Sequence, residues 1–353
     1  MDFGLSEEQR LLQDTIRRLL ADAYPTTRAR DISATASAHD GALWKQLAEN
    51  GALGALVAEK HGGSALSFLD AMLIAGEVGR AAGPGAFAAS AVMAAVALAG
   101  ASDEALGKEI LPELAAGRTR VGVGLAEAHG ARDGAGVKLE NGAATGTALF
   151  ALDAVEADRL LVHTPAGLAL FAADARGVEV APLVAVDKTR RIAEIRLRAA
   201  APLAVLPGGA RVLAAGRLAL AFDSLGCAER ALELALAYAA QRKQFGRVIG
   251  SFQAVKHMLA EIAAALEPAR SLCWYAAHAF DHEPAEAERL AALCKAHLAE
   301  TASEILRKAT EVHGGIGFTE QYDLHLWFRR VALSRPLLGG PEELRAQSER
   351  LRA

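Results

Sequence analysis

Two short stretches carry residue types that bind anions. Arg242-Lys-Gln-Phe-Gly246, followed by Ser251-Phe-Gln253, sets two cations beside an aromatic ring and a glycine, and arginine's planar fork of donors suits a phosphate or carboxylate. His313-Gly-Gly-Ile-Gly317-Phe318 concentrates glycine where a backbone could close on an anionic group. Each stretch also has a plainer explanation. Cations at the end of a helix complement its macrodipole, and Gly-Gly-x-Gly after a long helix most often serves as C-cap and turn. Neither stretch alone assigns a ligand.

Two further patterns change that. One is Leu47-Ala-Glu-Asn-Gly-Ala-Leu-Gly54 with Glu59-Lys-His-Gly-Gly63 and Gly76-Glu-Val-Gly-Arg80, and the other is Asp187-Lys-Thr-Arg190-Arg191. The four patterns together, spread over nearly the whole chain, resemble acyl-CoA dehydrogenases. The resemblance implies an FAD lying across a subunit interface, with one subunit cradling the isoalloxazine and its neighbour reaching the pyrophosphate and adenosine. It implies that Arg242 contacts the pyrophosphate, that Phe245 packs beside the cofactor and that Gln253 bonds its phosphate or ribose region. Glu311, His313, Gly314, Gly315 and Gly317 would line the same cofactor, and Arg217 would face substrate.

The reaction that the resemblance implies removes an α-proton from an acyl-CoA thioester and passes the β-hydride to the flavin. A carbon acid needs a desolvated base, and a glutamate in an apolar pocket serves because burial raises its pKa. This chain lacks one at both positions where the family places it. Aligning Arg329 and Arg345 with their family counterparts puts Leu338 at the commoner position, and the minority position, next to Arg217, holds Gly216. Asp223 lies about 10 Å further along the same helix at 1.5 Å per residue, and Glu342 and Glu343 are expected to face solvent near a helix start. The stretches that would touch the flavin ring, Ala126-Glu127-Ala128 with His129-Gly130-Ala131 and Phe150-Ala151-Leu152-Asp153, lack the family's hydroxyls. Glu311 stands where a glutamine is usual, and a carboxylate there repels phosphate unless it is protonated or paired.

The elements that must position these residues follow from hydrophobic period. Ser6 and Gln9 have capping-box spacing ahead of Leu12, Ile16, Leu19 and Leu20, an amphipathic helix. Helical patterns continue through Leu43 to Leu47 and Phe68 to Val78. From Arg118 short alternating runs appear, at Val121 to Leu125, Leu160 to Val162, Leu168 to Phe171 and Ile195 to Leu197. Long helical periods then return, from Leu218 to Ala239, Phe252 to Leu266 and Leu290 to Leu306. The expected fold is α+β and mostly α, in three parts: a helical domain over 1–117, a small β-domain over 118–207 and a four-helix bundle over 208–353.

Composition narrows the classes. Much of the 52% hydrophobic content is alanine, which favours helix. A formal net charge of -4 without a basic stripe argues against nucleic-acid binding. Cys227, Cys273 and Cys294 fall in helical patterns without metal-ligand spacing, so no metal site is expected. The charged first twenty residues do not read as a signal peptide, and the alanine-rich stretch from Ala86 to Ala99 is too short to span a membrane. A cytoplasmic, soluble protein is expected.

The leading expectation is a subunit of an FAD-dependent acyl-CoA dehydrogenase, with no base of its own, that completes a partner's FAD site in a homo- or hetero-tetramer. Its partners would be an acyl-CoA substrate, a second acyl-CoA dehydrogenase subunit and an electron-transfer flavoprotein. Two alternatives stay open: a self-sufficient homotetrameric dehydrogenase with an unrecognised base, and a flavin-free acyl-CoA-binding or scaffold protein.

Overall fold

The computed structural model describes residues 4–101, 104–129 and 135–352. Helices come first: α1 (Glu7–Ala23), α2 (Thr26–Ser33), α3 (Gly41–Glu49), α4 (Phe68–Arg80), a π-helical segment (Phe87–Ala94) running into α5 (Ala95–Ala99), and α6 (Glu104–Ala115). The capping box at α1 forms, with Gln9 N–H donating to Ser6 Oγ at 3.2 Å and Ser6 N–H to Gln9 Oε1 at 3.1 Å. Ser67 and Asp70 start α4 in the same way.

Eight strands between Val121 and Leu206 make one sheet. They are β1 (Val121–Gly124), β2 (Gly136–Glu140), β3 (Ala143–Leu152), β4 (Arg159–Thr164), β5 (Gly167–Ala172), β6 (Val178–Leu183), β7 (Ile192–Ala200) and β8 (Ala204–Leu206). Their order is β6-β7-β3-β1-β4-β5-β8, with β2 pairing β3. Among the described residues only the β1–β4 pairing is parallel. Ser90 ties the π-helical segment to this sheet, its Oγ accepting from Val121 N–H at 2.8 Å.

The helices that follow are longer: α7 (Gly209–Gln241), α8 (Gln253–His282), α9 (Pro284–His313), α10 (Leu324–Ser334) and α11 (Pro341–Arg350). From Val212 to Ala228 every residue of α7 is buried, Arg217 and Asp223 included, so this part of the helix runs through the middle of the protein. It packs against α4, α8, α9 and α10. Glycine permits the tightest of these approaches, since a side chain at Gly226 would run into the Gly76 carbonyl of α4 and one at Gly79 into the Asp223 carbonyl.

One feature departs from the helical C-terminal region that periodicity predicts. A hairpin of β9 (Lys243–Gln244) and β10 (Arg247–Val248) interrupts it between α7 and α8. Its two central residues, Phe245 at φ +52° and Gly246 at φ +76°, form the kind of two-residue turn that joins short antiparallel strands. Among the described residues no helix is long and apolar enough to cross a membrane. The three cysteines are buried and free.

Candidate functional site

The two positions expected to hold a base meet in the interior. A Cβ added to Gly216 in α7 would lie 2.7 Å from Met93 Sδ and Cε and 2.8 Å from Leu338 Cδ1. Methionine thus fills the space beside the glycine, and leucine closes it from the turn after α10. Leu338 takes a left-handed φ of +58°, which a branched side chain rarely adopts. Arg217 holds it there, donating from Nε to the Leu338 carbonyl at 2.9 Å. Burial pushes the Arg217 guanidinium down to about 10, and its enclosed Nη2 has no hydrogen-bond partner. Arg217, the residue expected to face substrate, grips the backbone of the turn.

A second buried cation supports the same turn. Lys295 Nζ donates to the Ser334 carbonyl at 2.8 Å and the Arg335 carbonyl at 3.3 Å. These oxygens end α10, where helix carbonyls lack partners and the macrodipole favours positive charge. Burial, then the nearby Arg217 charge, pushes Lys295 down to about 7.

The acids weighed from the sequence are paired with arginines or exposed. Asp223 is enclosed between two arginines, receiving Arg330 Nε on Oδ1 at 2.9 Å and Arg330 Nη2 and Arg190 Nη2 on Oδ2 at 2.7 and 3.0 Å. Burial pushes its carboxyl up, but the Arg330 and Arg190 charges outweigh that and hold it below the usual carboxylate range. Glu342 and Glu343 are exposed in the first turn of α11, where Glu342 pairs with Arg335 at 3.3 Å. Asp187-Lys-Thr-Arg190-Arg191 is thereby explained as a clamp. Arg190 reaches Asp223 in α7, Thr189 Oγ1 accepts from Arg330 in α10 at 2.7 Å, and Arg191 donates to the Ser33 and Ala36 carbonyls at the end of α2.

The stretches expected near a flavin ring are partly in view. Ala126, Ala151 and Leu152 are buried, while Phe150 is turned outward at φ +52°. Asp153 Oδ2 is enclosed without a partner, and burial pushes its carboxyl up to about 6. Gly130 and Ala131 lie outside the described residues.

The anion-binding stretches form a different kind of place. Arg242 caps α7, its N–H donating to the Tyr238 carbonyl at 2.8 Å, and its side chain is exposed. Arg242 and Lys243 have no carboxylate partner among the described residues. Arg247 lies over the Phe252 ring at 4.1 Å. Phe245, at the hairpin tip, is 93% exposed. Gln253, the first residue of α8, is exposed and within 2.8 Å of His257 Nε2.

The glycine stretch sits next to this end of α7. His313, the last residue of α9, is buried and packs on Tyr238 with ring centroids 4.6 Å apart. Gly314 and Gly315 are exposed, and a Cβ at either would meet nothing within 4 Å. Gly317 is buried, and a Cβ there would lie 2.9 Å from His313 Cβ and the Thr310 carbonyl. Glu311 is ion-paired with Arg307, which answers the charge objection raised by its type. Free cations, an exposed ring and an open backbone turn fit the anionic half of a dinucleotide such as FAD.

Met93, Lys295 and Tyr238 were not singled out from the sequence. Met93 belongs to an alanine-rich run with no polar face, Lys295 reads as an ordinary solvent-facing lysine of a helix, and Tyr238 stands one turn before the arginine that draws attention.

Comparison with known proteins follows the same division of the chain. Residues 6–118 match the model of the acyl-CoA dehydrogenase N-terminal domain and residues 210–350 that of the acyl-CoA dehydrogenase C-terminal domain. Acyl-CoA dehydrogenase IpdE2 of Mycobacterium tuberculosis is 31% identical over 350 residues, covering 97% of each protein. IpdE2 of Mycolicibacterium smegmatis is 30% identical over 346 residues, 96% of this chain and 97% of that protein. Among solved structures, the G363A variant of the Tcur3481-Tcur3483 steroid ACAD is similar with a TM-score of 0.90 at 28% identity, covering 98% of both chains. The ChsE4-ChsE5 complex from Mycobacterium tuberculosis reaches a TM-score of 0.91 at 24% identity over 100% of this chain and 99% of that one.

Proposed function

The chain belongs to the acyl-CoA dehydrogenase family of oxidoreductases acting on CH–CH donors, and on that premise we propose that it is a subunit which does not abstract the substrate proton itself and instead completes the FAD site of a partner subunit. The observation that carries this reading is the meeting of Gly216, Leu338 and Met93. Both base positions are apolar, and the volume beside them is filled. Loss of a general base forfeits about 10²- to 10⁴-fold in rate, so a chain with neither glutamate contributes otherwise.

FAD, when bound, accepts the hydride from the β-carbon of the acyl-CoA. This chain's part is to hold the cofactor's charged half. Arg242 offers a forked pair of donors to the pyrophosphate, Phe245 offers an exposed face beside it, and Gln253 offers an amide. The turn at Gly314 and Gly315 lets backbone come close. Likeness to a steroid ACAD makes a steroid-derived acyl-CoA the first substrate to test, and the joined designation of that protein supports a second kind of chain as the partner.

Two preparations test the proposal: the chain purified alone, and the chain co-expressed with a second acyl-CoA dehydrogenase subunit that keeps its catalytic glutamate. Bound FAD is measured from the visible flavin bands and turnover with a steroid-derived acyl-CoA and an artificial electron acceptor. FAD and turnover should appear only in the co-assembled preparation. Robust turnover by the chain alone would show a self-sufficient enzyme with a base elsewhere. A colourless, inactive protein in both preparations would favour a flavin-free scaffold.

A further inference from the structure

Beneath the exposed edge lies a cluster of three rings that the proposed function does not use. Tyr238 comes from the last turn of α7, His313 ends α9, and Tyr322 follows the glycine turn. The His313 ring lies 4.6 Å from Tyr238 and 4.6 Å from Tyr322, and the two tyrosines meet edge to face at 5.9 Å. Contacts of this geometry add specific attraction beyond area burial.

Both partners of the proposed cofactor surface are attached to this cluster. The Tyr238 carbonyl accepts the Arg242 N–H at 2.8 Å, and His313 directly precedes Gly314, whose φ of +65° starts the turn. Gly317 folds the turn back over its own helix, close to His313 Cβ and the Thr310 carbonyl. Histidine Nδ1 lies 2.6 Å from the Ala309 carbonyl, so Nδ1 carries a proton, and Nε2 is enclosed. Burial pushes the His313 pKa down, which keeps the ring neutral between the two phenols.

We infer that Tyr238 and Tyr322, clasping His313, are positioning residues that set the arginine end of α7 against the glycine turn so that both address one anionic cofactor. The inference rests on the proposed donation of a cofactor site and adds residues to it. An exposed arginine on a helix end retains rotamer freedom and loses affinity when its base shifts. A neutral three-ring clasp fixes that base without putting a competing charge near a phosphate.

The test uses the co-assembled complex, with FAD as the titrant, and compares Tyr238→Leu, Tyr238→Phe, Tyr322→Leu, Arg242→Ala and the double variant Tyr238→Leu/Arg242→Ala. FAD dissociation constants come from flavin fluorescence, assembly state from light scattering and thermal midpoints from apo samples. Tyr238→Leu and Tyr322→Leu should each weaken FAD about three- to tenfold with assembly intact. Tyr238→Phe should recover affinity to within about twofold, because it keeps the ring. The double variant should bind little worse than Arg242→Ala alone, since the tyrosine acts through the arginine.

A lowered thermal midpoint with unchanged FAD affinity in both leucine variants would make the cluster ordinary core and overturn the inference. If Arg242→Ala still weakens FAD in that case, the donated site stands without the clasp. If Arg242→Ala is silent as well, or no assembly takes up FAD, the donated site falls and the clasp with it. Should Tyr238→Leu fail to fold, Tyr322→Leu and the recovery by phenylalanine decide the question.

Discussion

Two regions of this molecule hold the residues that the family resemblance brings into question, and they are built on opposite principles. At Gly216, Met93 and Leu338 the interior is closed, and the nearby cations Arg217 and Lys295 each donate to carbonyl oxygens of the chain itself. At Arg242, Phe245 and Gly314 the surface is open. Among the described residues the cations there have no carboxylate, an aromatic ring stands almost fully in solvent, and it does so at a positive φ that costs energy for a non-glycine residue. The hairpin sets that conformation, and the Phe252 ring meets Phe245 only edge-on, at 6.2 Å. The first region directs most of its polar groups at its own backbone, whereas the second leaves cations and an aromatic ring exposed to a binding partner.

The comparison is sharpened most by breaking the clamp that anchors the closed region. Asp223→Asn leaves Arg190 and Arg330 buried without their counter-charge, and breaking a buried pair costs about 3 to 5 kcal/mol. Chemical denaturation should show a loss of that size. A loss below about 1 kcal/mol would mean that the arginines find other partners and that the interior is less tightly closed than described.

Crowding at the base position is the next effect in size. Gly216→Ala places a methyl against Met93 and Leu338, and overpacking of this kind costs about 1 to 3 kcal/mol. In a Met93→Ala background the same change should cost at least about 1 kcal/mol less, because the obstructing side chain is gone and alanine favours helix. Equal cost in both backgrounds would contradict the filled pocket.

A separate effect appears in the pH dependence of stability. Lys295 has an ordinary pKa of 10.5 and is pushed down to about 7 in the folded protein. Between those values the unfolded chain binds more protons than the folded one, so this group makes stability rise with pH from about 7 to about 10. Its penalty is largest below about 7, where the buried amine must carry charge. Lys295→Met should flatten that rise in denaturation midpoints measured from pH 6 to 10. An unchanged slope would show that the lysine does not titrate in this range.

Much of the architecture was legible because helical period is a strong signal when one face is polar. Ser6 and Gln9 foretold the capping box that starts α1, and the long repeats foretold α7, α8 and α9. The π-helical segment was not legible. Phe87 to Ala94 is buried on every side, so no period distinguishes the face that presents Met93 to Gly216. The hairpin at Phe245 was hidden for another reason, since strands of two residues are too short to alternate.

The candidate site shows the same limit. Leu338 and Gly216 could be named because Arg329, Arg345 and Arg217 fix their places in a pattern, but that they touch through Met93 depends on contacts between distant parts of the chain. Glu311 looked unfavourable beside a phosphate until Arg307, four residues earlier on the same helix, was seen to pair with it. That pairing has ordinary helical spacing. Lys295 carries no local mark, because its burial is decided by α10 and the turn beyond.

The central claim is that the open edge serves a cofactor, and FAD affinity of the co-assembled complex tests it most directly, wild type against Arg242→Ala at matched assembly state. A forked, charge-assisted contact to pyrophosphate is worth about 1.5 to 3 kcal/mol, so the substitution should weaken FAD binding roughly ten- to a hundredfold. Arg242→Lys should recover only part of that, since a point charge lacks the fork. Unchanged FAD affinity in an intact complex would contradict the account and leave Arg242 as a helix-end charge.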